Sequence, residues 1–529
     1  MKIYKPLLFI FLIFSPALLS AGELLSSFYQ DYFRYLAVQG KTENPALMNH
    51  SLSGNDWELD SDHPWQEGYQ SPSSLLNVGD WNFYATAPNV MISANTSYAR
   101  NELSDGSWWQ GKGVNTFVTG GFKIKSSWFS LNFQPEFWSS QNLGYDILAA
   151  VTDSEYGYFF SANIDYPQRM GDESLYEWGL GQTDIRFNWW NFTLALSNEN
   201  ILWGPSLVNS LMISDNAAGF PHIEFGLKKT ETAAGDVELI SFRGRVEESD
   251  YYDEDPDNNY TFMSGITGGY SPVFLPGFTF GLKWTLMTDW DNFLDSWQLQ
   301  AFGYDYTNDY FGGDEMDMKG SLTMNWIMPE AGFEWYFEFF REDYSPSLRS
   351  ILLAPGHSAG YTLGGQKAFP IDDERGWSLT AEWNELIQSR DYEIDLGSGG
   401  IYYSHGYVKH GYTNLGQMLG AGIGPGSDSE ILRFDYYDTW GKYGIYFQRI
   451  CWNKMYLYRN PVLLDRETGE SGYNQLNTEL NLGFDGLWMI NKTFHLSGEM
   501  ILSYNLNRNY IMENDVFNLY TRVGLTYRY

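Results

Sequence analysis

The feature that most constrains the fold of this chain is an alternation of apolar and polar residues with a period of two. In residues 333–339, for example, Phe333, Trp335, Phe337 and Phe339 alternate with Glu334, Tyr336 and Glu338. Successive side chains of a β-strand point to opposite faces, so this spacing predicts strands with one apolar and one polar face. The same pattern recurs in residues 129–137, 278–285, 377–384, 494–503 and 517–529.

The length of these segments and the composition of the chain favour strands that cross a membrane. After residue 21 there is no run of 18 apolar residues, so the sequence offers no transmembrane helix. Aromatic residues make up 18% of the chain although its mean hydropathy is −0.36, which fits lipid-facing aromatics around a polar lumen. Segments of about ten residues match tilted membrane strands, whereas the strands of soluble sandwiches and propellers average about five or six.

We therefore predict an all-β fold, a transmembrane outer-membrane β-barrel. At about 25 residues for each strand with its loop, residues 76–529 give about 16–20 antiparallel strands.

The N-terminal residues predict export. Lys2 and Lys5 precede an apolar run over residues 7–14, and a small residue, Ala21, follows at a suitable cleavage position. This is the pattern of a secretory signal peptide, and the apolar run is too short to span a bilayer as a helix. We expect residues 1–21 to be removed and the mature chain to reach the outer membrane of the cell.

Residues 22–75 differ from the rest of the chain. Apolar residues at helical spacing predict a helix that ends near Gly40; they are Leu25, Phe28, Tyr32, Tyr35 and Leu36. This segment is predicted to be a small helical element, either periplasmic or plug-like, and a flexible N-terminal lead is the alternative.

Charge limits the partners of the protein. The chain has 66 acidic and 32 basic residues and a formal net charge of −34, so it lacks the basic surface that a nucleic-acid partner requires. The expected partners are outer-membrane lipid and lipopolysaccharide, the barrel-insertion machinery and, as argued below, an extracellular polysaccharide. We expect a monomer.

The search for catalytic and metal-binding patterns predicts neither. Residues 356–360 match the G-x-S-x-G motif around Ser358, but that motif requires a strand–turn–helix context that the flanking sequence lacks. Residues 106–113 resemble a phosphate-binding loop without its final Ser or Thr and are better interpreted as an aromatic turn. Glu334 and Glu338 lie about 13 Å apart along a strand, too far for a glycosidase pair. No catalytic residue, metal ligand or cofactor is predicted.

Three short motifs resemble the capsule-assembly Wzi family. The first is a W-G-P element followed by an N-A-x-x-F-P element, and the others are an aromatic turn and a His-Gly stretch. Their residues are Trp203, Gly204, Pro205, Asn216, Phe220 and Pro221, then Trp109 and Gly111, then His410 and Gly411.

The resemblance implies a barrel of about 18 strands with helices near its periplasmic end. It also implies a lectin-like protein that binds capsular or other exopolysaccharide and helps to assemble or anchor it at the cell surface, without catalysis or a cofactor. For the motif residues, a structural role and a glycan contact both remain open. The alternative function is a porin or sugar-diffusion channel, and an outer-membrane hydrolase rests on Ser358 and unpaired lumenal carboxylates. The net charge would repel an acidic capsule unless divalent cations bridge them or the binding loops are locally basic.

Overall fold

The computed structural model describes residues 21–22, 27–50, 57, 65, 74–253, 255, 258–290, 316–342, 348–387, 402–459 and 472–527. The predicted signal peptide lies almost entirely outside the described residues.

Eighteen antiparallel strands form a closed barrel, because the last strand pairs with the first through residues 520–526 and 89–95. Strands β3 and β4 each consist of two segments separated by a short break. The strands are β1 Trp81–Asn95, β2 Gly113–Lys125, β3 Phe129–Phe133 with Glu136–Ser140, β4 Leu175–Gly179 with Asp184–Trp189, β5 Phe192–Ser197, β6 His222–Thr232, β7 Gly235–Glu247, β8 Tyr260–Pro272, β9 Phe278–Asp289, β10 Asp317–Met328, β11 Phe333–Arg341, β12 Ala359–Pro370, β13 Gly376–Glu385, β14 Asp428–Asp438, β15 Gly441–Cys451, β16 Thr478–Met489, β17 Phe494–Leu506 and β18 Val516–Tyr527. The predicted fold class is confirmed.

The remaining elements are short. The helices are α1 Ser27–Val38, α2 Leu348–Leu353 and α3 Met455–Arg459, with single 3₁₀ turns at Pro329–Ala331, Gly472–Gln475 and Arg508–Tyr510. Short strands lie at Ala21–Gly22, Leu76–Val78, Thr413–Asn414 and Gln417–Met418. None of the helices among the described residues has the length and apolar character needed to cross a bilayer.

The two faces of the wall follow the predicted alternation. In β9, Leu282 is 51% exposed on the outside, whereas the neighbouring Lys283 is 3% exposed on the inside. In β13, Trp377 and Trp383 point outward, and Glu382 is buried within the barrel. The exposed apolar exterior and the polar interior are those of a barrel that faces lipid outside.

The two ends of the barrel differ in the length of their connections. Eight turns of two to five residues join the strands at one end, and nine longer connections join them at the other. In outer-membrane barrels the short turns face the periplasm and the long loops face the exterior. We use periplasmic and extracellular in this sense.

Helix α1 lies inside the periplasmic mouth of the barrel, where it contacts the inner face of the wall. Arg34 donates two hydrogen bonds to the carboxylate of Glu334 on β11, at 2.8 and 2.9 Å. On the apolar side of the helix, the ring of Tyr32 stacks on Trp65 at 3.9 Å. Gly40, at φ +70°, follows the helix in the left-handed conformation that commonly ends helices, as predicted.

The lumen is filled from both ends. Residues 46–50 continue inward from α1, and loop 198–221 enters from the extracellular side. The two segments meet where the Trp203 indole donates to the Asn49 side chain at 3.0 Å and the Gly204 N–H donates to the Met48 carbonyl at 2.9 Å. Segments from both ends of the barrel are therefore in contact within its interior.

Two buried glutamates of the wall hold these segments. The Glu238 carboxylate accepts hydrogen bonds from the N–H groups of residues 47–49, at 2.7 to 2.9 Å. The Glu382 carboxylate accepts hydrogen bonds from the N–H groups of residues 207–209, at 2.8 to 3.2 Å. The backbone donors of irregular segments are thus satisfied inside the barrel, as burial requires.

Candidate functional site

A cleft opens on the extracellular surface where five loops meet. Its walls come from residues 98–102, 145–148, 158–168, 423–427, 452–453, 477 and 508–510, together with Glu479 and Asn505 at the extracellular ends of β16 and β17. Its volume is about 850 Å³ when the part that opens to solvent is included.

Aromatic side chains form much of the wall of this cleft. Tyr145, Phe159, Tyr166 and Trp452 are partly exposed there. Behind them, the buried ring of Tyr510 packs against Phe159 at 5.9 Å between centroids. Flat apolar faces that are held in place and remain partly wet are suited to stacking on a planar or ring-shaped ligand.

Asparagines supply the polar part of the cleft. The Oδ1 atoms of Asn453, Asn477 and Asn505 are buried and accept no hydrogen bond within the described part of the chain. The Asn453 amide nitrogen is engaged, because it donates to the Tyr158 hydroxyl at 2.7 Å. A buried amide oxygen without a donor is costly, and a ligand hydroxyl would satisfy it.

One buried arginine organises the carboxylates of the cleft. Arg100 lies 2.6 Å from the Glu102 carboxylate and 3.3 Å from the Glu479 carboxylate. Glu479 also accepts a hydrogen bond from the Tyr98 hydroxyl at 3.2 Å. These two carboxylates are therefore engaged inside the protein.

Loop 507–515 holds an unusual backbone conformation next to the cleft. Asn507, Asn509 and Tyr510 all have φ between +50° and +60°. Asparagine tolerates this left-handed region, but a tyrosine there costs of the order of 1–3 kcal/mol unless its surroundings fix it. The Tyr510 hydroxyl donates to the carbonyls of Trp452 and Asn453, at 3.2 and 3.1 Å, which ties this loop to the neighbouring one.

Arg508, in the same loop, projects into the cleft. Its guanidinium lies 4.0 Å from the centroid of the Tyr98 ring and 5.8 Å from that of Tyr145. The side chain is half-buried and lines the cleft.

The W-G-P and N-A-x-x-F-P motif residues lie in loop 198–221, mostly inside the barrel and away from the cleft. Trp203 is fully buried. Gly204 has φ +100°, and a Cβ at this residue would lie 2.5 Å from the Lys283 amino group. Buried Asn216 donates to the Met418 carbonyl at 3.2 Å. Pro205 and Phe220 are also buried, whereas Pro221 is exposed at the end of the loop.

The other motif residues also lie outside the cleft. Trp109 is buried and its indole donates to Asn142 at 3.4 Å; a Cβ on Gly111 would meet the Ser140 hydroxyl at 2.6 Å. His410 lies 2.6 Å from the Thr261 hydroxyl, and burial lowers its pKa to about 4. Gly411 has φ +68° and packs against the Tyr403 carbonyl.

The two motifs considered for catalysis lie in extracellular connections. Ser358 is buried in a turn between α2 and β12, which is a helix–turn–strand order, the reverse of a nucleophile elbow. Residues 106–113 connect β1 to β2 and carry buried Trp108, in agreement with an aromatic turn. Among the described residues, no group of three or more His, Cys, Asp or Glu is placed to hold a metal ion.

Sequence reasoning missed the cleft. Its residues come from positions 98 to 510, and pairs across loops cannot be read from period-two patterns. A local signal was nevertheless present, because aromatic and asparagine residues are adjacent in Trp452-Asn453 and Asn509-Tyr510.

No family model matches the sequence, and no curated protein matches it. Among solved structures, the chain is similar to Wzi from Escherichia coli, an outer-membrane protein described as a carbohydrate-binding β-barrel involved in group 1 capsule assembly. The TM-score is 0.54, with 11% identity over 84% of each chain. OccAB3 from Acinetobacter baumannii gives a TM-score of 0.41, with 13% identity over 85% of this chain and 100% of that chain. OccK11 from Pseudomonas aeruginosa gives a TM-score of 0.39, with 8% identity over 85% and 96%.

TM-scores below 0.5 do not establish a common fold, and an identity of 11% shows likeness of fold alone. The similarity to Wzi, the closed sheet and the apolar exterior identify this chain as an 18-stranded barrel of the outer-membrane type.

Proposed function

We propose that this protein binds polysaccharide in its extracellular cleft and holds the polymer at the cell surface. The observation that carries the proposal is the composition of the cleft, in which partly exposed aromatic rings lie beside unpaired asparagine oxygens. Rings stack on the apolar faces of sugars, and amides bind their hydroxyl groups.

The filled lumen favours binding over diffusion. Residues 46–50 and loop 198–221 meet within the barrel and are held by Glu238 and Glu382. A diffusion channel requires a continuous water-filled path, which 18-stranded porins retain in their lumen. The similarity in fold to Wzi, which is described as a carbohydrate-binding β-barrel, agrees with the proposal.

The proposal is tested by comparing wild-type cells with a deletion strain and with Trp452→Ala cells. Truncating an aromatic that stacks on sugar removes about 2 kcal/mol, or about 30-fold in affinity. We expect unchanged total polymer that moves from the cells to the medium. Trp190→Ala is the matched control, because this tryptophan is 81% exposed in the periplasmic turn between β4 and β5.

Polymer that remains attached in the deletion strain while uptake of a small solute falls would show that the protein is a channel instead.

A further inference from the structure

Arg508 is a cation of the cleft that has no carboxylate partner among the described residues. Within the part of the chain that the structure describes, its guanidinium forms no ion pair and no side-chain hydrogen bond. By contrast, Arg100 binds both Glu102 and Glu479. Two of the three carboxylates that line the cleft, Glu102 and Glu479, are thus paired with an arginine other than Arg508, and the third is the exposed Asp146.

The surroundings of Arg508 fix its position without using its donors. The Tyr98 ring lies against the face of the guanidinium, and such stacking leaves the N–H groups at the edge of the plane available. The backbone beside it is fixed, because Asn507 donates to the Asn474 carbonyl at 2.8 Å and the Asn507 N–H donates to the Asp515 carboxylate at 3.0 Å. The planar guanidinium of Arg508, held in this way, matches the geometry of a carboxylate, to which it can donate two hydrogen bonds.

The neighbours of Arg508 match the remaining groups of an acidic sugar. Asn453, Asn477 and Asn505 line the same cleft, and a side-chain rotation would offer their unpaired Oδ1 atoms to the hydroxyl hydrogens of a sugar. Asp146 is exposed at the rim, where solvent screens its repulsion. The cleft thus combines one free cation, several hydroxyl acceptors and stacking rings.

We infer that the cleft binds an acidic polysaccharide and that Arg508 binds the carboxylate of a uronic-acid residue in it. This inference rests on the proposed polysaccharide binding and adds the chemical class of the polymer. For a chain with a net charge of −34, Arg508 supplies the local positive group that an anionic polymer requires.

The test uses the full-length protein in detergent and surface polysaccharide extracted from the producing cells. The polymer is used as extracted and after chemical reduction of its carboxyl groups to primary alcohols, which leaves sulfate and phosphate esters intact. Binding is measured for wild type, Arg508→Gln, Arg508→Lys and Arg449→Gln. Arg449 is the matched control, because it is half-exposed and already paired with Asp428 and Glu430 at 2.8 Å, outside the cleft.

We expect Arg508→Gln to weaken binding of the native polymer by about 10- to 100-fold, the effect of one charge-assisted contact. Arg508→Lys should lose part of this affinity, and Arg449→Gln should lose none. Reduction of the polymer should weaken binding to wild type and abolish the difference between wild type and Arg508→Gln.

Equal binding of native and reduced polymer to wild type overturns the inference but leaves polysaccharide binding intact. If Arg508→Gln still weakens binding of the reduced polymer, Arg508 contacts a sulfate or phosphate ester. That result overturns the inference that it binds a carboxylate. Loss of binding with EDTA, without an effect of Arg508→Gln, shows that a cation bridges instead. Failure of wild type to bind either polymer overturns the proposed function itself.

Discussion

Glu238 and Glu382 have the same kind of contact at two positions of the barrel wall. Each buried carboxylate accepts hydrogen bonds from three consecutive backbone N–H groups, one set in residues 47–49 and the other in residues 207–209. Hydrogen bonds to a charged acceptor contribute about 1.5–3 kcal/mol each, and a lost partner leaves buried donors unsatisfied. These residues hold the filling of the lumen more strongly than apolar packing alone would.

Glu382→Ala should therefore destabilise the protein. We expect the folded, fast-migrating band on a detergent gel to convert to the unfolded band at a lower temperature than in wild type. Glu330→Ala, in an exposed periplasmic turn, is the control and should leave this temperature unchanged. An unchanged transition for Glu382→Ala would mean that water replaces the three backbone donors at no cost.

The acidic groups around Glu248 make the extracellular loops sensitive to pH. Burial, together with the negative charges of the neighbouring Asp253 and Asp165, raises the pKa of Glu248 to about 8. A carboxyl whose pKa is raised on folding stabilises the protein fully below its unfolded pKa, and this contribution is lost as pH rises through the folded pKa. The stability of these loops should therefore fall as pH rises from about 4.5 to about 8.

Glu248→Gln should remove part of this dependence. We expect proteolysis within loops 141–174 and 248–259 to be slower for the variant than for wild type at pH 8, and equal at pH 4. Asp250→Asn, at an exposed position of the same loop, should behave as wild type. Identical cleavage rates for Glu248→Gln and wild type at pH 8 would contradict the assignment.

At the scale of elements, the predictions succeeded where a single segment carries the signal. The period-two alternation predicted which residues of β11 and β13 point outward and which point inward. Lipid outside the barrel selects apolar residues, and polar contacts inside it select polar residues at the alternate positions. Helix α1 follows from spacing in the same way, with Gly40 as its stop.

The contacts between elements could not be predicted. Arg34 and Glu334 are 300 residues apart, and the five loops of the cleft are brought together only by closure of the barrel. The ten motif residues lie outside the cleft, so the motifs did not indicate its position.

Helix α1 is held by ion pairs, so its anchoring can be tested by one substitution. Arg34→Ala leaves the buried Glu334 carboxylate without its cation, and breaking a buried pair costs about 3–5 kcal/mol. We expect faster protease cleavage of the N-terminal segment and a lower unfolding temperature. Arg375→Ala breaks an exposed pair with Asp372, worth about 0–1 kcal/mol, and is the matched control.

If the two variants lose the same stability, the position of α1 depends on its aromatic contacts with Trp65 and Tyr437 rather than on the ion pair.

At the scale of the whole molecule, the number of strands was predictable within a range, because the length of the barrel segment divided by the residues in one strand and its loop limits that number. The filling of the lumen was not predictable, because the inner face of a strand has the same polar sequence pattern whether it borders water or a packed loop. The structure shows buried ion pairs there, such as Lys283 with Glu338 at 2.7 Å.

The filled lumen predicts low conductance. In planar bilayers we expect wild type to show no regular stepwise openings, while Glu238→Ala combined with Glu382→Ala should show them because both luminal segments lose their anchors. Large, uniform conductance steps from wild type would be incompatible with a closed barrel and would restore the channel as the leading function.

The contact between Trp203 and Asn49 also has a mechanical consequence. Loops 141–174 and 386–427 share one apolar cluster with loop 198–221, which is bonded to the wall at Glu382 and to the N-terminal segment at Asn49. A lateral pull on the extracellular loops is therefore distributed through the interior to α1 at the opposite end. The barrel resists shear as one body, and no single hairpin bears the load alone.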